Sequence, residues 1–298
     1  MCPAHRPGER LPGVPAPSVR IRSHDGVVLG ADAWGPEDGP PLVLLHGGGQ
    51  TRHAWKSAGH TLGVHGFRAL AYDARGHGDS SWSQDGDYSE AALVADLRAV
   101  VASFAGVRPC ILVGASMGGL TSLAAIGRGE VLASALVLVD VVPRVDGAGV
   151  QRIADFMDAG RDGFDSLDQM VDAIAVFQPH RRRPGSISGV AKNARLDADG
   201  RYRWHWDPAV TPESDLEQMA ARHERYAQAV DVPTLMVRGE LSEVVREDGT
   251  QDFLRLMPHA QVDEVAGASH MVAGDDNDAF VERIVAFLRG HRTSSPPD

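Results

Sequence analysis

Residues 110–125, CILVGASMGGLTSLAA, place four apolar residues directly before a serine that stands between glycines, and follow it with a run that reads as a helix. A short continuous apolar run is the pattern of a strand buried on both faces in a parallel sheet. A serine at the turn from such a strand into a helix admits two readings. Serine is a favoured N-cap, because its side-chain oxygen accepts from the orphan amides of the first turn. The same place is also the sharp turn at which small neighbours let backbone segments pack closely and a nucleophilic hydroxyl project. Context has to decide between them.

Working outward, the pattern repeats. PLVLLHGGG (41–49) and FRALAYD (67–73) precede the serine as further buried strands, with a helix expected over 89–104, where Leu93, Val94, Leu97, Val100 and Val101 form an apolar stripe. ALVLVD (135–140) follows it. The alternation resumes with PTLMVRG (233–239), a helix over 245–257, the short strand AQVDEV (260–265) and an amphipathic helix over 279–289. Nearer the start, VRIRS and VVLGADAW flank His24-Asp25-Gly26 and read as a hairpin. Strands alternating with helices imply an α/β fold, a mostly parallel central sheet covered on both faces through right-handed crossovers.

Two regions break the rhythm. Pro-rich residues 1–17 read as a flexible N-terminal tail. Residues 143–230 contain helical patches (VQRIADFMDA, SLDQMVDAIAVF, SDLEQMAARHERYAQAV) and no apolar strand, so a helical insertion is expected there, leaving 18–142 and 231–298 as the core.

Composition narrows the function classes. The 298 residues are 43% hydrophobic and carry a formal charge of -11, which argues against a nucleic-acid or anionic-membrane partner. The basic run Arg181 to Arg183 reads as a solvated face. No apolar run is long enough to span a membrane and no signal-peptide pattern is present, so a cytoplasmic location is expected. Cys2 and Cys110 support neither a disulfide framework nor a metal cluster; Cys110 reads as a small core residue. Neither "HGGGQT" nor "GASMGG" matches a nucleotide-binding glycine loop, and no metal or cofactor is implied.

Ligand sites in open α/β sheets form beyond the carboxyl ends of the strands. Four loops lie there: His46-Gly47-Gly48-Gly49-Gln50, Asp73-Ala74-Arg75-Gly76-His77-Gly78, the turn at Ser116, and Gly267-Ala268-Ser269-His270. A serine hydroxyl needs a base within reach and a third group to orient that base. His270, on a small-residue loop after the last strand, is the candidate base. His46 reads as a holder of the backbone around HGGG, and His77 as a turn residue between glycines.

The motifs LLHGGGQ, AYDARGHGDS, VGASMGG and GASHM, in this order and spacing, resemble the α/β-hydrolase superfamily, in particular its epoxide-hydrolase-like and esterase-like branch with a helical cap after the sixth strand. The resemblance spans roughly residues 20–290. It implies Ser116 as nucleophile and an oxyanion hole built from the backbone amides of Met117 and Gly48. Relatives of this kind carry the third member of the triad after the seventh strand, where Glu243 stands, or after the sixth, where Asp140 stands. Glu243 is the expected acid, with Asp140 the alternative.

RYRWHWDP (201–208) gathers aromatic residues in a chain that is only 6% aromatic. Trp204 and Trp206 either anchor the cap to the core or line an apolar acyl or alcohol pocket, which Met117, Trp55 and Phe177 would share. The expected activity is hydrolysis of a carboxylic ester of a small, largely apolar substrate by a serine esterase. A lactonase, a C-C bond hydrolase or a cofactor-free perhydrolase of the haloperoxidase type would use the same triad. A slow-turnover small-molecule receptor is the reading from another class. Substrate identity and oligomeric state are not written in these motifs.

Overall fold

Side-chain alternation within the strands assigns the two sheet faces. In β4 (Pro41–Leu45), Val43 and Leu45 join one apolar cluster and Leu42 and Leu44 the other, all four buried. The same split runs through β6 (Cys110–Ala115), with Cys110 and Leu112 on one side and Ile111 and Val113 on the other. Burying each such Val, Leu or Ile stabilises by about 1.5–3 kcal/mol, which places these strands at the sheet centre.

The computed structural model describes residues 8–177, 187–211, 213–242, 244–245, 247–266 and 277–291. Its main sheet has eight strands. β2 (Val19–Arg22) and β3 (Val28–Trp34) form an antiparallel hairpin at one edge, and β3 pairs antiparallel with β5 (Arg68–Tyr72). From β5 the sheet runs parallel through β4, β6, β7 (Ala133–Val139), β10 (Thr234–Gly239) and β11 (Gln261–Val265). The spatial order is β11-β10-β7-β6-β4-β5-β3-β2.

One face is covered by α2 (Glu90–Phe104), α3 (Met117–Gly127), α7 (Leu216–Ala229) and α8 (Glu247–Leu256), through Leu97, Leu123, Ala227 and Phe253 among others. The other is covered by α1 (Lys56–Val64) and α9 (Asn277–Gly290), through Leu62, Phe280 and Ile284. Ser89 caps α2, accepting from the Ala92 N–H, which fixes the start that the sequence pattern led one to expect. Among the described residues no helix is long and apolar enough to cross a membrane.

The insertion after β7, the sixth strand of this sheet, departs from the expectation of helices alone. It holds α4 (Gly147–Asp158), α5 (Leu167–Phe177) and α6 (Ile187–Ala191), and then a small hairpin of β8 (Ala194–Leu196) and β9 (Tyr202–Trp204). The strands are three residues long and carry arginines, too short for an apolar run to mark them. Nor do residues 8–17 form a free tail. β1 (Glu9–Arg10) pairs with β8, Leu11 is buried among cap residues, and the Pro15 carbonyl accepts from Arg52. Helix α7, placed in the cap by its sequence position, belongs to the core instead: Tyr226 backbone lies so close to Gly127 of α3 that a Cβ there would stand 2.6 Å from it.

A buried ionic cluster joins these layers. Arg52, with no exposed side-chain surface, donates to Asp32, Asp73 and Asp79, and Asp79 also accepts from Arg195 of β8 and Arg10 of β1. Core, cap and N-terminal segment therefore share one set of charges. Removing Arg52, whose side chain is fully buried, would leave Asp73 buried without its cation, which costs about 3–5 kcal/mol.

Candidate active site

Ser116 sits where β6 turns into α3, and its backbone takes φ 46° and ψ -117°. The only other non-glycine residue with positive φ among those described is Asp140, at φ 48°. Such conformations cost on the order of 1–3 kcal/mol each and persist where the surroundings over-determine them. The surroundings here are close-packed backbone. A Cβ on Gly114 would stand 2.4 Å from the Gly118 carbonyl oxygen, and one on Gly118 would stand 2.5 Å from the Leu45 carbonyl oxygen. Only glycine fits at either place, and the turn has no slack.

Although Ser116 occupies the N-cap position, its side chain caps nothing: it accepts no hydrogen bond from the first turn of α3. The capping reading fails. The residue is half-buried, and the neighbouring Met117 N–H opens the helix without a hydrogen-bond partner among the described residues. A helix N-terminus is where orphan amides favour negative charge.

The HGGG loop lies against this turn, since a Cβ on Gly47 would meet the Ser116 Cβ at 3.3 Å. Its donors are nearly all engaged. The Gly47 N–H donates to Gln50 Oε1 at 3.0 Å, the Gly49 N–H to His77 Nε2 at 3.3 Å, and the Gln50 N–H to the Gly47 carbonyl at 3.1 Å. The Gly48 N–H has no partner among the described residues. Two amides without partners among the described residues, of Gly48 and Met117, thus lie on the loop and the turn that meet at Ser116.

Three buried imidazoles hold this loop. His46 donates from Nδ1 to the Gly47 carbonyl at 2.8 Å and accepts at Nε2 from the Ala74 N–H at 2.9 Å. His77 donates from Nδ1 to the Arg75 carbonyl, and its Nε2 takes the Gly49 N–H. His205, from the cap, accepts at Nδ1 from the Gly78 N–H at 2.8 Å and donates from Nε2 to the Gly49 carbonyl at 3.3 Å. Each ring accepts from an amide and donates to a carbonyl, so each tautomer is set by backbone partners and each ring is neutral. Burial, aided by neighbouring cations and rings, lowers the pKa of His46 to about 4 and of His77 to about 3, and holds that of His205 well below the ordinary histidine value.

Asp140 follows β7, the neighbour of β6, and is fully buried. Its Oδ1 accepts from the Gly239 N–H at 3.1 Å and its Oδ2 from the Ser242 hydroxyl at 2.5 Å. Ser242 in turn accepts from the Val244 and Val245 amides. A carboxylate buried at the strand end beside the strand that leads to Ser116 is thereby fixed in one orientation. His270 and Glu243 lie outside the described residues.

The cap roofs the loop with aromatic residues. Trp204 and Trp206 stack at 5.2 Å and 12°, donating from their indole N–H groups to the Ala159 and Met157 carbonyls. Phe156 packs on both and stacks on Phe177 at 4.3 Å. The Trp206 ring reaches Gly49, with 3.5 Å between a ring carbon and the Cβ a side chain there would have, and the Met157 sulfur lies 3.8 Å from the corresponding point on Gly48. Trp206 therefore both anchors the cap and faces the loop. Met157 and His205 were not singled out from sequence; a lone methionine in a helix and a histidine between two tryptophans give no local signal. Trp55, expected at the pocket wall, is buried instead in the core under α1, its ring 5.9 Å from that of Phe280. A small cavity beside Met117 is lined by Leu45, His46, Tyr72, Leu93 and Thr121.

A strained serine elbow, a glycine loop with one free amide, and a buried aspartate on adjacent strands of this sheet define an α/β hydrolase. The chain belongs to the alpha/beta hydrolase family, whose pattern it matches over residues 42–283. It is similar to the esterase Rv0045c of Mycobacterium tuberculosis, with 30% identity over 93% of this chain and 91% of that protein. The crystal structure of that esterase superposes with a TM-score of 0.73, covering 92% of each chain. It is also similar to the sn-1-specific diacylglycerol lipase ABHD11 of Mus musculus, at 29% identity over 84% of this chain and 81% of the lipase. These relatives support hydrolase activity in general for the chain.

Proposed function

We propose that the protein is a cytoplasmic serine hydrolase that cleaves a carboxylic ester of a small, largely apolar substrate through an acyl-enzyme. Ser116 Oγ attacks the ester carbonyl carbon while His270 takes the hydroxyl proton. The carbonyl oxygen becomes an oxyanion and accepts from the Gly48 and Met117 amides, each such donor being worth about 3 kcal/mol in the transition state. As the tetrahedral intermediate collapses, the C–O bond to the alcohol breaks and His270 returns its proton to the leaving oxygen. Water then attacks the acyl-Ser116 carbonyl by the same route, releasing the carboxylic acid and restoring the serine.

For the acid we assign Asp140 over Glu243. The preference rests on its burial, its strained backbone and the Gly239 and Ser242 donors that hold both carboxylate oxygens. Such a group orients the imidazole and stabilises the imidazolium without itself taking the proton. The single observation that carries the reading is Ser116 itself, strained into the turn, capping nothing, and set where two amides have no partner among the described residues. The apolar roof of Trp204, Trp206 and Phe156 suits an apolar acyl or alcohol group, as do the esterase and lipase activities of the similar proteins.

The test is initial-rate hydrolysis of p-nitrophenyl acetate, butyrate and octanoate by the wild type, Ser116→Ala, Asp140→Asn and Glu243→Gln. Turnover by the wild type with at least a thousandfold loss in Ser116→Ala, on the order reported for triad members, is expected. Asp140→Asn should lose about a hundredfold or more in kcat, and Glu243→Gln less than about threefold. A folded wild type that turns over none of the esters sinks the esterase reading; the reverse ranking of the two acid variants moves the role to Glu243.

A further inference from the structure

Two peptide planes stand in series between the cap and the free Gly48 amide. His205 donates from Nε2 to the Gly49 carbonyl. The far end of that peptide unit is the Gln50 N–H, which donates to the Gly47 carbonyl. The far end of the Gly47 unit is the Gly48 N–H. A trans peptide is planar with its C=O and N–H pointing in opposite directions, so holding the oxygen aims the hydrogen on the other side.

The loop needs such holding. Gly47, Gly48 and Gly49 carry no Cβ, and Gly49 stands at φ +70°, so sterics alone offer little resistance to a peptide flip. A flipped Gly47 unit would present a carbonyl where the oxyanion needs a donor. His77 fixes the plane between the two, by accepting the Gly49 N–H. His46 provides the second donor on the Gly47 oxygen.

His205 is itself well pinned. It has no exposed surface, its Nδ1 is taken by Gly78, and it meets the Trp206 ring edge-on at 5.1 Å and 89°. Its backbone follows β9 of the cap, and its N–H donates to the Asn193 carbonyl at the head of β8. The ring is thus carried by the cap hairpin and reaches 156 residues back in sequence to the loop.

We infer that His205 is a positioning residue for the oxyanion hole: through the Gly49 and Gly47 peptides it joins His46 in aiming the Gly48 N–H, so the donor is most tightly set while the cap hairpin is seated on the loop. The inference rests on the reading of Ser116 as nucleophile and Gly48 as oxyanion donor. With the cap lifted from Gly49, His46 alone holds the Gly47 peptide.

Two isosteres separate this role from simple packing. In His205→Asn the side-chain oxygen can still accept from Gly78 but nothing reaches Gly49; in His205→Gln the amide nitrogen stands near the Nε2 position and can donate to Gly49. Steady-state hydrolysis of p-nitrophenyl butyrate, inhibition by an aryl trifluoromethyl ketone and thermal melting are measured for both and for the wild type. The ketone adds to the serine and places an oxyanion in the hole, so its affinity reads the donor directly.

The expected result is a kcat lowered about tenfold to a hundredfold in His205→Asn, KM within about threefold, inhibitor affinity weakened in parallel, and most of kcat regained in His205→Gln. A folded His205→Asn with wild-type kcat and inhibitor affinity overturns the inference. So does an equal loss in both variants that tracks their melting temperatures. Should His205→Asn fail to fold, the glutamine variant decides: folded with near-wild-type kcat it supports the role, and folded with a tenfold loss it overturns it. If both fail to fold, a purely structural pin suffices and the inference is overturned. An active wild type with silent Ser116→Ala and unaffected His205→Asn refutes the positioning role alone. A wild type inert toward every ester refutes the hydrolase reading and this inference with it.

Discussion

The two loops that meet at Ser116 reach fixed geometry by opposite means. The serine elbow is held by contact: backbone oxygens of Leu45 and Gly118 stand where any side chain on Gly118 or Gly114 would have to be. The HGGG loop is held by hydrogen bonds, with three imidazoles and the Gln50 amide gripping a stretch that sterics would leave free. Contact forbids alternatives outright, whereas hydrogen bonds select one of several permitted arrangements. The elbow should therefore fail when volume is added, and the loop when protons are added.

The largest effect is expected at the elbow. Gly118→Ala forces a Cβ to 2.5 Å from the Leu45 carbonyl oxygen, which strand β4 and helix α3 cannot relieve without moving. A stability loss of about 2–3 kcal/mol and a fall in kcat of about a hundredfold should follow, read by urea denaturation and ester hydrolysis. A variant with wild-type rate and stability would show that the elbow has slack and would undo the contrast.

Next comes acid sensitivity of the loop. An unfolded histidine binds a proton below about pH 6.5, whereas folded His46 and His77 resist protonation down to about 4 and about 3. The unfolded state thus holds more protons throughout this window, and stability must fall as pH drops through it. Between pH 6.5 and 5 the loss is about 2 kcal/mol for each of these two rings. Urea midpoints at pH 7.5 and pH 5 measure it, and His77→Asn should flatten the dependence by about a quarter, since His53 and His205 are also held below the ordinary histidine value. A midpoint that does not move on acidification would mean the rings are not held neutral.

The smallest effect belongs to the roof. Trp206→Phe keeps a ring on Trp204 but loses the indole donor to the Met157 carbonyl, a change of about 1 kcal/mol or less in stability. Its mark should be a shifted preference among acyl lengths, because that ring faces Gly49. Unchanged selectivity across acetate, butyrate and octanoate would confine Trp206 to anchoring.

Legibility in the sequence follows the same division. β4, β6 and β7 could be read because burial on both faces writes a continuous apolar run, and the elbow because close packing demands glycines at fixed offsets from the serine. The β8–β9 hairpin could not, since three-residue strands with arginines carry no period. Nor could the roles of His205 and Gln50, whose partners are chosen by a fold that joins residues 49 and 205. Trp55 was misplaced for a related reason: an aromatic residue shortly after a glycine loop looks the same whether it turns toward the site or into the core under α9. Asp140 and Glu243 both follow apolar runs in the sequence, and residue type alone does not rank them.

The left-handed backbone of Ser116 also bears on how such a protein would evolve under different demands. Glycine adopts that conformation without strain, so a selection for heat resistance that ignored turnover would reward replacing the serine. On the reading of Ser116 as nucleophile, a serine in that position is a residue at which chemistry outweighs stability.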